Sequence, residues 1–259
     1  MNAGIIGLGF VGGAVLDSFK STEVKTNDPK NPNSESYDEL KKCEALFVCV
    51  PSPSNPDGSC DTSILEEVLN KLKDYTGVII SKVTAPPNVY TKLQKKHPNL
   101  IYIPEFLTAQ YATTDYKNTK KFIIGGNVLA YQNEARRVMQ YTHKDASFIF
   151  SSIEEASLTK YTVNAFLATK VSFMNDMYDI TDAAGLNWDI VQNLVQFVDR
   201  ERIGSSHMIV PGHDGKRGFG GMCFPKDTAG LLHYAKDIDV NLDVLTAAVK
   251  KNKTLRDDI

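Results

Sequence analysis

The residues best suited to covalent chemistry lie late in the chain, in Gly218-Phe219-Gly220-Gly221-Met222-Cys223-Phe224-Pro225-Lys226-Asp227. Its three glycines strip side chains from the approach to one thiol, so a substrate atom can come close to sulfur. Pro225 fixes a backbone angle suited to the first position of a helix, expected over Thr228–Lys236. Cys223 then sits just ahead of a helix N-terminus, where partial positive charge favours thiolate over thiol. Lys226 adds a full positive charge in the same turn. The stretch also fits a buried structural cysteine, with Asp227 merely complementing the helix dipole.

A second constellation opens the chain. The short apolar strand Ala3–Ile6 runs into Gly7-Leu8-Gly9-Phe10-Val11-Gly12, followed by a helix-compatible run over Gly13–Lys20. These glycines permit a tight turn, close approach of backbone to a pyrophosphate, and close packing of helix on strand. The helix N-terminus adds donors for the phosphates. Glu23–Asn27 reads as a second strand ending in Asp28, whose carboxylate can accept from both ribose hydroxyls and would repel an extra phosphate. NAD, rather than NADP, is the expected cofactor.

Two further sets are placed by the elements between. Ala45–Val50 is a continuous apolar run, as in a strand buried on both faces, and ends at Pro51. Residues 29–37 read as a surface loop, and Ser63 with Glu66 as a capping box for a helix reaching about Leu72. Strands follow at Gly77–Ser81, Leu100–Ile103, Phe122–Ile124 and Phe148–Phe150. Thr84 and Glu105 fall just after two of these, where such sheets bind ligands; they fit ordinary strand-end chemistry equally. From Ser151 onward only helical patterns appear. Ser152 and Glu155 form another capping box, opening a run to Ala184 that Gly185 could end. Lys160 and Asn164 stand four apart on it, able to converge on one ligand or simply to face solvent. Further helices are expected near Trp188–Asp199 and over Leu242–Arg256.

The expectation is an α/β chain: a Rossmann-type doubly wound parallel sheet over 1–150, then an all-helical domain over 151–259 with a long central helix. A length of 259 residues suits two modest cores, and 42% hydrophobic with 23% charged residues is ordinary for a globular protein. A net charge of −2 speaks against nucleic acid or an anionic membrane as partner. Cys43, Cys49, Cys60 and Cys223 have neither metal-ligand nor disulfide-scaffold spacing, so reduced thiols and a cytoplasmic setting are expected.

The chain resembles the UDP-glucose/GDP-mannose dehydrogenases, NAD-dependent enzymes that oxidise the C6 alcohol of a nucleotide sugar to a carboxylate. GLGFVG, VPSP with DGSCD, KVTAP, PEFL, the YKN…IIGG stretch, KYTVNAFLATKVSF, RIG and GFGGMCFPKD carry the resemblance over almost the whole length. It implies Cys223 as a nucleophile that traps the aldehyde, and Lys160 as stabiliser of an oxyanion. It also implies that Asn164 positions the sugar, while Thr84, Glu105 and Asp227 hold water and move protons. Arg202, Gly220 and Lys226 would contact substrate, and Thr84 and Pro51 would join the glycine loop at NAD. UDP-glucose is the default substrate and a homodimer the expected assembly. A single-step hydroxyacid dehydrogenase and a non-catalytic NAD-binding dimer partner are the alternatives. Where the family has a second glutamate after PEFL, this chain has Ala109. The sequence ends near the close of the family's central helical domain, which implies a short form. The loop from Arg202 to Gly218, with His207, His213, Lys216 and Arg217, is then expected to supply the diphosphate contacts.

Overall fold

The computed structural model describes residues 1–19 and 24–258. Lys20 and Glu23, expected in the first helix and second strand, lie outside the described residues. Seven strands make one sheet: β1 (Ala3–Ile6), β2 (Val24–Asn27), β3 (Ala45–Val48), β4 (Val78–Ser81), β5 (Leu100–Tyr102), β6 (Lys121–Gly125) and β7 (Ser147–Ser151). Their order is β2-β1-β3-β4-β5-β6-β7. β1 to β5 are parallel, whereas β6 meets β5 antiparallel through Tyr102 and Gly125 and pairs with β7 in parallel. The sheet is thus mixed at one end.

β1, β3 and β4 are buried at every position, and only Ser81, at the end of β4, interrupts their apolar runs. Alternate residues feed opposite cores. Ile6, Leu46, Val48, Ile79 and Leu100 pack on one face; Ile5, Phe47, Val78, Ile80 and Ile101 pack on the other. Burying each large side chain contributes about 1.5–3 kcal/mol. Chain order reverses at β1, with β2 on one side and β3 on the other, so a crevice opens beyond their carboxyl ends. The glycine loop leaves β1 there.

Several helix boundaries differ from expectation. α1 (Phe10–Leu16) starts earlier than the expected Gly13. Tyr37, placed in a loop, begins the short α2 (Tyr37–Leu40), capped by Ser36. In α3 (Ser63–Lys71) the cap is Thr62, whose hydroxyl donates to Glu66 at 2.9 Å, so Ser63 already belongs to the first turn. α4 (Pro87–Lys96), α5 (Ala112–Asn118) and α6 (Leu129–Thr142) complete the α/β part.

α7 (Ile153–Ala183), α8 (Trp188–Ile203), α9 (Phe224–Asp237) and α10 (Asp243–Leu255) follow. The Ser152–Glu155 capping box forms: Ser152 N–H donates to the Glu155 carboxylate at 2.8 Å, and Glu155 N–H to the Ser152 hydroxyl at 3.1 Å. Gly185 ends α7 with φ of +67°, and the Leu186 N–H reaches back to the Thr181 carbonyl at 2.9 Å. α8 runs beyond Asp199, which is non-helical and marks a kink. α9 begins at Phe224, four residues before the expected start, which makes Pro225 its second residue. The chain divides into two compact units, residues 1–55 with 60–160, and residues 56–59 with 161–259. No helix among the described residues is long and apolar enough to cross a membrane.

Candidate active site

In the first unit the three fingerprint glycines differ in what they must avoid. Gly7 has φ of +89°, and a Cβ there would lie 2.8 Å from the Cys49 carbonyl oxygen. A Cβ on Gly12 would fall 1.9 Å from the Gly7 oxygen, so only glycine lets α1 pack this closely on the loop. A Cβ on Gly9 would meet nothing within 4 Å, which leaves its backbone open to a phosphate. Gly9 caps α1, and Phe10 and Val11 open its first turn with outward N–H groups. Asp28 follows β2 directly. Its two carboxylate oxygens accept the Leu8 N–H at 2.7 Å and the Lys30 N–H at 2.8 Å. Those backbone bonds, the one from Leu8 foremost, hold its pKa below the usual carboxylate value. Asp28 is therefore an anion tied to the glycine loop, with lone pairs left for hydroxyl donors. Pro51 is exposed just past β3. This cradle fits a dinucleotide.

Past β5, Glu105 meets Lys160. The Lys160 ammonium donates to the Glu105 backbone carbonyl at 2.6 Å and to its carboxylate at 3.3 Å. Both residues are buried, and the other carboxylate oxygen accepts the Leu107 N–H at 2.7 Å. The ammonium also stands 5.0 Å over the Phe106 ring. Half-buried Thr84 is fixed by its backbone, whose carbonyl accepts from the Ser52 hydroxyl at 2.8 Å.

In the second unit Cys223 is half-buried and is the N-cap residue of α9; its carbonyl accepts the first helical bond from Asp227 at 2.8 Å. Asp227 is 1% exposed. Its carboxylate accepts from the Asn164 amide and, at 2.6 Å, from the Lys226 ammonium. Three expected residues are thereby brought together. The Lys226 ammonium, expected to contact substrate or help activate the thiol, pairs with Asp227. Arg202 is exposed and pairs with Asp199 at 3.0 Å. The expected phosphate clamp also changes character: Lys216 pairs with Asp258 at 2.5 Å, and Arg217 with Asp179. Those two cations are neutralised inside the unit.

The sequence pattern of the UDP-glucose/GDP-mannose dehydrogenase family, NAD binding domain, matches residues 22–143, and that of its central domain matches residues 154–254. The chain belongs to this family. Its first unit carries the family's NAD-binding domain, and NAD is the cofactor. UDP-glucose 6-dehydrogenase from Rickettsia felis is 28% identical over 251 residues, which cover 93% of this chain and 54% of that protein. The enzyme of the same name from Rhizobium meliloti is 32% identical, covering 83% of this chain and 53% of its own. The chain therefore spans about half the length of these relatives. The solved UDP-glucose dehydrogenase of Pyrobaculum islandicum shares the fold with a TM-score of 0.82 at 24% identity, over 98% of this chain and 68% of that one.

Other residues on these elements were not singled out from sequence. Lys82, directly after β4, is 4% exposed, and its ammonium stands 5.6 Å over the Tyr116 ring. Asn252 and Arg256 touch the glycine-rich loop ahead of Cys223. The only sequence signal for that pair is a spacing of four, shared by any two residues on one helix face.

Proposed function

We propose that this chain catalyses NAD-dependent oxidation of a nucleotide-sugar C6 alcohol to the carboxylate, with UDP-glucose giving UDP-glucuronate. The observation that carries the reading is the thiol of Cys223 at the cap of α9, beside the buried Asp227 that Asn164 holds. NAD supplies the hydride acceptor. Cys223 adds to the aldehyde carbon as a thiohemiacetal; loss of a second hydride leaves a thioester, which water cleaves to acid and thiol. Lys160 stabilises the developing oxyanion, a contribution of about 3–4 kcal/mol where comparable donors have been removed. Asn164, Arg202, Gly220 and Lys226 orient the sugar nucleotide, while Thr84, Glu105 and Asp227 hold water and pass protons. A cytoplasmic setting and a role in supplying acidic sugars for polysaccharide synthesis belong to the same reading. Incubating purified protein with NAD and, separately, UDP-glucose, UDP-N-acetylhexosamines and GDP-mannose should give NADH fastest with UDP-glucose. No NADH from any of them would end the proposal.

The working form in this reading is a homodimer. Phe166, Phe173 and Ile180 recur every seven residues on α7 and are 65%, 54% and 62% exposed. A heptad interval keeps such residues on one helix face over successive turns. On α8, Ile190, Leu194 and Phe197 are exposed as well. A water-facing apolar stripe of this kind marks an association surface. Light scattering at micromolar concentration should give twice the chain mass, and Phe166→Glu with Phe173→Glu should halve it. A monomeric wild type would contradict this.

A further inference from the structure

In the loop that delivers Cys223, Phe219 is buried, and side chains of α7 and α10 hold the backbone of Gly218 and Phe219. Gly218 N–H donates to the Asn175 side chain at 3.2 Å. Phe219 is clasped from both sides by one amide: its N–H donates to Asn252 Oδ1 at 2.7 Å, and its carbonyl accepts from Asn252 Nδ2 at 2.8 Å. Asn252 is fully buried, so this pair acts like a rung of sheet supplied by a side chain. One turn on, Arg256 reaches the Gly218 carbonyl at 3.5 Å and is itself fixed by Asp214 at 2.7 Å and Asp258 at 2.9 Å.

The glycines fit these two side chains. A Cβ on Gly218 would lie 2.3 Å from Asn252 Oδ1, and a Cβ on Gly220 would lie 2.5 Å from the Arg256 guanidinium carbon. Gly218 and Gly221 both take φ of +75°, the left-handed region that glycine enters at no steric cost. Phe219, between them, is 3% exposed, and its ring meets Phe224 of α9 edge-on at 6.4 Å. A pinned Phe219 thus fixes the chain on both sides of Cys223.

We propose that Asn252 and Arg256 are positioning residues, which hold the Gly218–Gly221 loop in the one conformation that presents the Cys223 thiol. They act through the loop, by the bonds to Gly218 and Phe219. The kinetic consequence rests on the functional reading above, but the clamp itself does not. In Asn252→Ala of the full chain, amide exchange in the peptide spanning 217–224 should speed up by at least about tenfold. Exchange across β1, β3 and β4 should stay as in wild type. Labelling of Cys223 by N-ethylmaleimide, read by mass spectrometry, should also rise about tenfold as the loop opens, while labelling of Cys60 does not change. With UDP-glucose, kcat should fall about 10²-fold at an unchanged KM for NAD. Asn252→Asp keeps the acceptor for Phe219 N–H and should give smaller changes in the same directions; it serves if the alanine variant fails to fold. Wild-type exchange and labelling in a folded variant would overturn the clamp. Faster exchange and labelling in a chain that oxidises no sugar nucleotide would uphold the clamp and reject the functional reading.

Discussion

Cys223→Ser is expected to abolish formation of the sugar acid while NAD still binds. Oxidation of an alcohol to an acid removes two hydrides, so the wild type should yield two NADH for each acid formed. In the proposed route the second hydride leaves from a covalent adduct of the aldehyde, for which a thiolate is the better nucleophile and the better leaving group. A serine ester would form slowly and hydrolyse slowly, so acid production should fall by about 10³-fold or more. Gly7, Gly9, Gly12 and Asp28, the proposed NAD cradle, belong to the first unit, whereas Cys223 belongs to the second. NAD titration should therefore match wild type. NADH by absorbance and sugar acid by mass spectrometry, from the same reaction, give both readouts. Undiminished acid would remove the thiol from the chemistry. A wild type that makes one NADH per turnover would point to single-step oxidation of a hydroxyacid.

What sequence could and could not supply divides along physical lines. β1, β3 and β4 were legible because strands buried on both faces are nearly all apolar, with Ser81 of β4 the one buried polar exception. α4 and α6 were not read because each places a glutamine where the pattern wants an apolar residue. Gln94 in α4 donates to the Leu100 carbonyl at 2.8 Å, and Gln132 in α6 donates to Ser151 and Ile124 carbonyls at 2.9 and 3.1 Å. Each glutamine is buried and satisfies sheet backbone, so it breaks the hydrophobic period while serving the core. At the site, the glycine loops were legible because their geometry is local. Partners across tens of residues were not. Asp227 takes up Asn164, and the loop cations Lys216 and Arg217 are paired with Asp258 and Asp179. Such pairings follow from tertiary packing, which a run of charges does not reveal.

Lys82→Met is expected to stabilise the protein at neutral pH. Lys82 is buried at the end of β4, and the neighbouring Glu105 carboxylate is committed to Lys160 at 3.3 Å. Burial pushes the Lys82 ammonium down from its usual 10.5 to about 8, against weaker opposing pulls from Cys49 and Glu105. A displacement of that size corresponds to about 3 kcal/mol spent on keeping the buried group charged. Below pH 8 both folded and unfolded chains hold the proton, so the full penalty is present. Between pH 8 and 10.5 the unfolded chain holds a proton that the folded chain has released, so wild-type stability rises with pH from this group. Methionine has a similar length and no charge to desolvate. In urea unfolding, the variant should exceed wild type by up to about 3 kcal/mol at pH 7. That gap should close steadily as pH rises from 8 towards 10.5. A gap that ignores pH, or a less stable methionine variant at pH 7, would mean that the Tyr116 ring and other surroundings of Lys82 compensate its burial. With the predicted gap, Lys82 is a cation held at the ligand edge of the sheet at a cost to folding. Its positive field bears on Glu105, whose charge the Lys160 pair already uses.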